Sequence, residues 1–285
     1  MKQRTVKNKI NFSGKGLQEG EHAEVFLIPQ KADTGIIFSR SDIDPEAKIT
    51  LSEALFSSSD SQRRTTLSIT GGTSIQTVEH LMAALWAMGI DNVLIDVLGK
   101  ELPALDGSAK GFLDIIKSAG IEEQPSERKV IKINEEIKAE EKDAVIEIVP
   151  YNGFKVSYSI DYDCSSIGKE QLTFVVDEHI FENEIAPART FCLKKEAELL
   201  LKSGYGKGAN YQNTLVMDEE GPIGTELRFK NEPIRHKILD LIGDLYLLGI
   251  RIEGEVKAKK SGHRLNGILL KKIYEKYASG LSIKR

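Results

Sequence analysis

The sequence has little cysteine: Cys164 and Cys192 are the only two in 285 residues. Neither belongs to a CxxC pair, which argues against a disulfide framework or a cysteine metal cluster and favours a reducing compartment. A chain of this length buries a substantial core without covalent cross-links. We therefore expect a cytoplasmic protein.

Long apolar runs are also lacking. No segment approaches the roughly 18 apolar residues that a membrane span requires, and the first residues, Met-Lys-Gln-Arg-Thr-Val-Lys, have no apolar signal-peptide region. An excess of positive charge is missing too, since 39 basic and 43 acidic side chains give a formal net charge of −4 and a pI near 5.9. We therefore expect no transmembrane segment and no recruitment of nucleic acid by the overall charge.

The remaining composition, 40% hydrophobic and 29% charged residues, is typical of a folded globular protein. The first third is predicted to be rich in strands, because polar and apolar residues alternate at 24–28 and 35–39. Apolar residues at helical spacing predict a helix over 77–88. A buried strand is predicted at 91–98 and a short helix over 108–119.

The segment 120–129 is predicted to be an interdomain linker, because it is polar, contains Pro125 and lacks apolar periodicity. This boundary gives an amino-terminal domain of residues 1–122 and a carboxy-terminal domain of residues 129–285. The second domain is predicted to begin again with strands and to contain a long helix. These elements are strands near 129–133, 144–149 and 154–160, and a helix over about 233–248.

The two longer predicted helices are similar to each other. Each begins near a histidine, His80 or His236, and ends at a glycine, Gly89 or Gly249, before an apolar strand. The second helix is longer by about one turn. This internal similarity predicts two similar α+β domains that face each other and bring both histidines to one interface.

A candidate metal site follows from the spacing of His236 and Asp240, which lie four residues apart on one face of the second helix. His80 would supply a third ligand and leave a fourth position open, as in catalytic zinc sites. Alone, such a pair is more often a surface hydrogen bond. Asp244, however, continues the same polar line along an otherwise apolar helix, and polar groups in apolar surroundings need partners.

Glu79 precedes His80, and adjacent helical side chains diverge by about 100°. Glu79 therefore need not be a ligand, and its carboxylate is a candidate general base for water at the open metal position. The alternative is a first-turn glutamate that favours the helix dipole.

Ordered motifs run along most of the chain. They are Gln76-Thr77-Val78-Glu79-His80-Leu81, Glu101-Leu102-Pro103 with Asp106-Gly107-Ser108, Ala188-Arg189-Thr190-Phe191, Arg235-His236-Lys237-Ile238-Leu239-Asp240-Leu241-Ile242-Gly243-Asp244-Leu245 and Ser261-Gly262-His263. In register from about Gln3 to Leu270, they strongly resemble the UDP-3-O-acyl-N-acetylglucosamine deacetylases of lipid A synthesis. Together, these motifs are far more specific than any one alone.

The resemblance implies roles for the matching residues. The implied zinc ligands are His80, His236 and Asp240, with iron(II) as an alternative ion for the same ligands. Glu79 is the implied general base. His263 is implied to protonate the leaving amine or stabilise charge, with Asp244 as the carboxylate that orients it. Thr190 and Lys237 are the implied oxyanion-stabilising groups. The implied fold is two α+β domains, each a layered sheet-and-helix unit with an insert, packed with their helices facing.

Substrate contacts are also implied by the resemblance. The region from Phe191 to about Gly224 resembles an insert whose helix and strands form an apolar passage for an acyl chain. Candidate lining residues are Phe191, Leu200, Tyr211 and Val216; the alternative is that some of them pack the core of the insert itself. Candidate contacts to the UDP group are Asp161, Tyr162 and Lys260, for which ordinary surface positions are the alternative.

The sequence departs from the family pattern at three positions. Gln18 replaces a common histidine; it can donate and accept hydrogen bonds but cannot take a proton. Ala209 replaces a common glycine and is expected to narrow the passage, and Lys194 stands where an apolar residue often faces it. The acyl-length preference of the family therefore does not transfer directly to this chain.

The expected activity is zinc-dependent hydrolysis of the N-acetyl group of UDP-3-O-acyl-N-acetylglucosamine. The alternatives are a zinc amidohydrolase of a soluble amide and an inactive paralogue that binds a nucleotide sugar. We expect a monomer. A basic carboxy-terminal stretch is either a solvated helix face or a peripheral contact to an anionic leaflet; its residues are Lys271, Lys272, Lys276, Lys284 and Arg285.

Overall fold

Two mixed β-sheets, one from each half of the chain, form the framework on which the helices pack. The computed structural model describes residues 1–44, 46, 48–51, 64–69 and 73–278. Strands and helices are both abundant in these residues, which confirms the predicted α+β class.

The first half of the chain contributes a five-stranded sheet, a hairpin and two long-range partner strands. The elements in chain order are β1 (Lys2–Val6), β2 (Ile10–Lys15), β3 (His22–Pro29), β4 (Ile36–Ser39), β5 (Lys48–Thr50), β6 (Thr66–Ile69), β7 (Thr73–Gln76), α1 (Glu79–Met88), β8 (Val93–Leu98), α2 (Lys110–Ala119) and β9 (Ile121–Glu127). The sheet has the order β2-β3-β8-β4-β5, while β6 pairs with β7 and β1 pairs with β9.

The second half contributes a six-stranded sheet and a smaller three-stranded sheet. Its elements are β10 (Val130–Lys132), β11 (Ile137–Glu141), β12 (Ala144–Val149), β13 (Phe154–Asp161), β14 (Lys169–Val175), α3 (Glu178–Ile180), β15 (Phe191–Leu193), α4 (Lys194–Lys202), β16 (Leu215–Asp218), β17 (Gly221–Pro222), α5 (Glu232–Leu245), β18 (Arg251–Lys259) and α6 (His263–Ile273). The larger sheet has the order β11-β12-β18-β13-β14, with β10 also paired to β18. The smaller sheet has the order β15-β16-β17.

Helices α1 and α5 pack directly against each other. Every residue of α1 is buried, because the helix is apolar on all sides after Glu79 and His80. All residues of α5 except Arg235 and Lys237 are also buried. Gly243 allows the close approach, since a Cβ at this position would lie 2.0 Å from the carbonyl oxygen of Glu79. The facing helices thus bring the beginning of α1 onto the middle of α5.

Most predicted elements are confirmed, with ends that differ by a few residues. The helix predicted over 77–88 begins at Glu79, and the helix predicted over 233–248 ends at Leu245 and continues as a 3₁₀ turn through Leu248. The segment predicted to be a linker is different, because it forms β9 and pairs antiparallel with β1. The domain limits 1–122 and 129–285 stay a prediction.

Two residues of the basic carboxy-terminal stretch bind the body of the protein. Lys272 donates to the carbonyl oxygen of Lys138 at 2.7 Å, and Lys276 lies 2.6 Å from a carboxylate oxygen of Glu135. Lys284 and Arg285 lie outside the described residues.

Within the part of the chain that the structure describes, no helix has both the length and the apolar character needed to cross a membrane.

Candidate active site

His80, His236 and Asp240 form a buried cluster at the contact between α1 and α5. One ligand atom from each lies within 4.8 Å of the others. The Oδ1 atom of Asp240 lies 3.2 Å from Nε2 of His236 and 3.6 Å from Nε2 of His80. The predicted metal ligands are therefore brought together, although His80 is far from the other two in sequence.

The orientation of His236 is set by its second ring nitrogen. Nδ1 lies 3.0 Å from the carbonyl oxygen of Ala188, and because a carbonyl oxygen only accepts, Nδ1 carries the hydrogen. The Nε2 lone pair then points toward His80 and Asp240. A backbone partner of this kind is typical of histidines that bind metals.

The protonation states of the cluster suit a cation. Burial lowers the pKa of His80, which keeps its imidazole neutral. Burial alone would raise the pKa of Asp240, but His236 and the Lys237 ammonium hold it well below its usual range. The neutral imidazole of His80 and the ionised carboxylate of Asp240 are forms that bind metals. This donor set, buried and open to a cavity on one side, fits a divalent metal ion.

Glu79 lies beside this cluster, buried at the beginning of α1. Its Oε2 atom accepts a hydrogen bond from the backbone N–H of Thr65 at 3.2 Å. Burial raises the pKa of Glu79 to about 8. A carboxylate whose pKa is raised above its ordinary value is a stronger base in its ionised form.

His263 begins α6 and pairs with Asp244 of α5. Its Nδ1 atom lies 2.8 Å from Oδ2 of Asp244, and its Nε2 atom lies 3.8 Å from both Oε1 of Glu79 and Oδ2 of Asp240. Burial by itself would lower the pKa of His263, but the Asp244 carboxylate outweighs it and raises the pKa to about 9. His263 therefore carries a proton that it can donate at neutral pH.

Lys237 and Thr190, the predicted oxyanion-stabilising pair, both line the same cavity. The ammonium of Lys237 donates to Oδ2 of Asp240 at 2.9 Å; burial opposes its charge, but Asp240 raises its pKa and keeps it cationic. The Thr190 N–H donates to the carbonyl oxygen of Gly107 at 2.8 Å. A Cβ at Gly107 would lie 1.7 Å from the carbonyl oxygen of Asn213, so only glycine allows this turn to reach the Thr190 segment.

The cavity beside the cluster has a volume of about 780 Å³. Its lining includes the cluster residues His236 and Asp240, together with His263. The same lining includes all four candidate acyl contacts, Phe191, Leu200, Tyr211 and Val216. The cavity therefore joins the charged cluster to a partly apolar surface.

The candidate UDP contacts divide into two groups. Tyr162 lines the cavity, and its ring packs edge-on against that of Phe191 with centroids 5.5 Å apart. Asp161 and Lys260 are not among the described residues that line the cavity. Instead, the ammonium of Lys260 lies 3.2 Å from Asp161 and 2.9 Å from Asp143. Only Tyr162 is thus brought to the cavity itself.

All three residues that depart from the family pattern, Gln18, Ala209 and Lys194, line the cavity. Lys194 also lies 3.8 Å from a carboxylate oxygen of Asp218. The carbonyl oxygen of Gln18 accepts the Lys207 N–H at 3.1 Å. These substitutions therefore act on the cavity wall and leave the three-residue cluster unchanged.

Two buried residues at the site were not predicted to have a role. Glu101 accepts the backbone N–H groups of Gln18 and Glu19 and the hydroxyl of Thr77. Glu101 belongs to the Glu101-Leu102-Pro103 motif, which resembles the family pattern, and this motif was the sequence feature that could have identified it. Thr65 contacts both Glu79 and Asp244, and nothing in its surrounding sequence distinguishes it from an ordinary polar residue.

Comparison with known proteins agrees with this geometry. The family model of LpxC, UDP-3-O-acyl N-acetylglycosamine deacetylase, matches residues 3–275. Proteins named UDP-3-O-acyl-N-acetylglucosamine deacetylase from Pasteurella multocida and Thermodesulfovibrio yellowstonii are each 41% identical, over 276 and 273 residues. These alignments cover 96% of this chain and 90% and 92% of the two relatives. The chain therefore belongs to the UDP-3-O-acyl N-acetylglycosamine deacetylase family.

Proposed function

We propose that this chain removes the N-acetyl group of UDP-3-O-acyl-N-acetylglucosamine by hydrolysis, giving acetate and UDP-3-O-acyl-glucosamine in lipid A biosynthesis. The observation that carries the proposal is the clustering of His80, His236 and Asp240, two of which, His236 and Asp240, line a partly apolar cavity. Family membership over residues 3–275 supports the same substrate.

The three-residue cluster is the proposed zinc site. Two imidazole nitrogens and one carboxylate are the ligand set of many catalytic zinc sites, and iron(II) accepts the same ligands. Zinc bound there supplies a Lewis acid that polarises the amide carbonyl and makes water more acidic. The hydrogen bond from His236 Nδ1 to Ala188 and the ionised state of Asp240 prepare the ligands for this ion.

Glu79 is the proposed general base. Its raised pKa makes the ionised carboxylate a stronger proton acceptor for the attacking water, and the N–H of Thr65 holds one of its oxygens in place. As water adds to the acetamide carbonyl, negative charge develops on the carbonyl oxygen. Lys237, which remains cationic, and the hydroxyl of Thr190 are the proposed donors to that oxygen.

His263 is the proposed general acid. Because Asp244 keeps its imidazole protonated and holds Nδ1, the Nε2 atom is left to deliver a proton to the departing sugar amine. This nitrogen lies 3.8 Å from Oε1 of Glu79, so the proposed acid and the proposed base are adjacent. Proton acceptance and donation are thereby assigned to different groups.

The apolar part of the cavity is the proposed binding site of the acyl chain, with Phe191, Leu200, Tyr211 and Val216 as its contacts. Burying an acyl chain contributes roughly 0.8 kcal/mol per methylene, so a chain of about a dozen carbons dominates the affinity. Tyr162 is the proposed stacking partner of uracil, and Asp161 and Lys260 are proposed to approach the nucleotide from outside the cavity lining.

We place the protein in the cytoplasm as a monomer. The low cysteine content, Cys164 and Cys192 alone, suits a reducing compartment. The basic carboxy-terminal stretch that includes Lys271, Lys272 and Lys276 is the proposed point of peripheral contact with an anionic leaflet, and a solvated helix face is the alternative.

The test measures acetate release from the acylated and the non-acylated UDP-sugar in one assay, with and without a chelator. We expect turnover of the acylated substrate, loss of activity on chelation and recovery on adding zinc. Equal rates with both substrates would identify an amidohydrolase of soluble amides. Nucleotide-sugar binding without acetate release would identify an inactive paralogue.

A further inference from the structure

Thr65 is placed between the two proton-transfer groups of the site. It is buried, and its backbone N–H donates to Oε2 of Glu79 at 3.2 Å. Its side-chain hydroxyl donates to Oδ1 of Asp244 at 2.5 Å. One residue thus holds the carboxylate of the proposed base through its backbone and the carboxylate behind the proposed acid through its side chain.

We infer that Thr65 is a positioning residue that fixes Glu79 and the Asp244–His263 pair relative to each other. The inference rests on the proposed function of these three groups. The hydrogen bonds described for Thr65 involve none of His80, His236 and Asp240, and its hydroxyl also lies 3.3 Å from Nδ1 of His263, so its effect is on the geometry of proton transfer.

The hydroxyl of Thr65 completes the hydrogen bonding of the Asp244 carboxylate. The Oδ2 atom of Asp244 is already bound to Nδ1 of His263 and to the side-chain amide of Asn266, each at 2.8 Å. Asn266 is in turn fixed by the hydroxyl of Ser261 at 2.6 Å. The Thr65 hydroxyl supplies the donor on the other oxygen, Oδ1.

Hydrogen bonds on both oxygens prevent the carboxylate plane of Asp244 from rotating. Without the Thr65 hydroxyl, Oδ1 is left as a buried, charged atom that has lost its donor, and the carboxylate turns to recover a partner. His263 follows, because its Nδ1 is bound to Oδ2 of the same carboxylate. The Nε2 atom then moves from its position 3.8 Å from Glu79.

The hairpin of β6 and β7 places Thr65 opposite the beginning of α1. Thr66 pairs with Gln76 in this hairpin, and the carbonyl oxygen of Thr65 accepts the N–H of Thr77 at 2.9 Å. Thr77 has a φ of 59°, a left-handed conformation that is unusual for threonine. Its hydroxyl donates to Glu101 at 2.8 Å. Thr77 is therefore held on two sides, which preserves the turn from the hairpin into the helix that carries Glu79.

The experiment compares Thr65→Val, which removes the hydroxyl at nearly constant shape, with Thr65→Ser, which restores it. Thr66→Val is the matched control, because Thr66 is adjacent and equally buried. We expect Thr65→Val to lower kcat by about 10- to 100-fold, the effect of a small displacement of catalytic groups. KM and metal content should remain near the wild-type values, and Thr65→Ser and Thr66→Val should keep most of the activity.

A second readout does not depend on turnover. The Nδ1–H proton of His263, assigned by its loss in His263→Gln, reports the hydrogen bond to Asp244 in NMR spectra of the full-length protein. We expect this resonance to shift in Thr65→Val and to return in Thr65→Ser. Thr65→Ala provides another variant without the hydroxyl if Thr65→Val does not fold.

Either of two results overturns the inference: an unchanged kcat and unchanged His263 resonance in the folded variants without the hydroxyl, or losses of metal and melting temperature that parallel the loss of activity. A wild-type protein that releases no acetate refutes the proposed function instead, and the His263 resonance then still decides whether Thr65 holds the pair.

Discussion

The contact between α1 and α5 at Gly243 predicts that Gly243→Ala damages the metal site without changing any ligand. The added Cβ would lie 2.0 Å from the Glu79 carbonyl oxygen, about 1.4 Å closer than the 3.4 Å at which ordinary contact begins. The Cβ is fixed directly to the backbone of α5 and the oxygen belongs to the backbone of α1, so the helices must separate. His80 moves with α1, whereas His236 and Asp240 remain on α5.

The magnitude follows from two opposing effects. Replacing glycine by alanine inside a helix contributes about 1 kcal/mol of stability, while overpacking a buried contact costs about 1–3 kcal/mol. The net loss is expected to be about 0–2 kcal/mol, or a melting temperature lower by up to roughly 8 °C. Metal affinity is expected to fall by about tenfold or more, because ligand distances tolerate changes of only about 0.2 Å.

Gly267→Ala is the matched control, because Gly267 lies in α6 and a Cβ there meets nothing within 4 Å. This variant is expected to gain about 0.5–1 kcal/mol. Calorimetry of both variants gives the melting temperatures, and metal analysis after dialysis against a graded chelator gives the relative affinities. If Gly243→Ala melts no lower than wild type and binds metal equally well, the reasoning about this helix contact is wrong.

The other predictions concern the proton-transfer groups. Glu79→Ala should retain metal but lose about 100-fold or more in kcat, whereas Asp240→Ala should lose the metal itself. Metal analysis and kcat measurements on both variants test this. An empty metal site in Glu79→Ala would contradict the assignment of Glu79 as the base. His263→Ala should keep metal and KM while kcat falls by about 100-fold or more, as steady-state kinetics will show. The pH profile of kcat/KM should be bell-shaped. Activity is lost at low pH because Glu79, whose pKa is raised to about 8, becomes protonated. Activity is lost at high pH because His263, whose pKa is raised to about 9, becomes deprotonated. A bound dication lowers both values, and a profile in His263→Ala that keeps its alkaline limb would count against His263 as the acid.

The helices that carry the site could be predicted because their patterns are strong. Val78, Leu81, Met82 and Leu85 repeat at helical spacing and are all fully buried in the structure. The spacing of His236 and Asp240 likewise placed both side chains on one face. What spacing alone does not provide is the approach of His80, which depends on the packing of α1 against α5 at Gly243.

The strand β9 could not be predicted from its residues. Gln124 is its one buried residue in the described pattern, so the alternation that marks a half-buried strand is missing. Its pairing with β1 joins residues more than 100 positions apart, such as Val6 and Ile121. Backbone hydrogen bonds between distant segments carry no local sequence signal.

Thr65 was missed for a related reason. Its contacts to Glu79 and Asp244 span 14 and 179 residues of sequence, and threonine in a polar segment is ordinary surface composition. Asp161 and Lys260 illustrate the opposite case, since the motif resemblance assigned them to the nucleotide while the structure pairs them with each other outside the cavity lining.

The division of the ligands between α1 and α5 has a consequence for biosynthesis of the protein. A growing chain presents His80 early, but the cluster is incomplete until both His236 and Asp240 have been synthesised. The ion is therefore not bound by all three residues before α5 has been made. Truncated products that end before α5 therefore do not bind metal at this site.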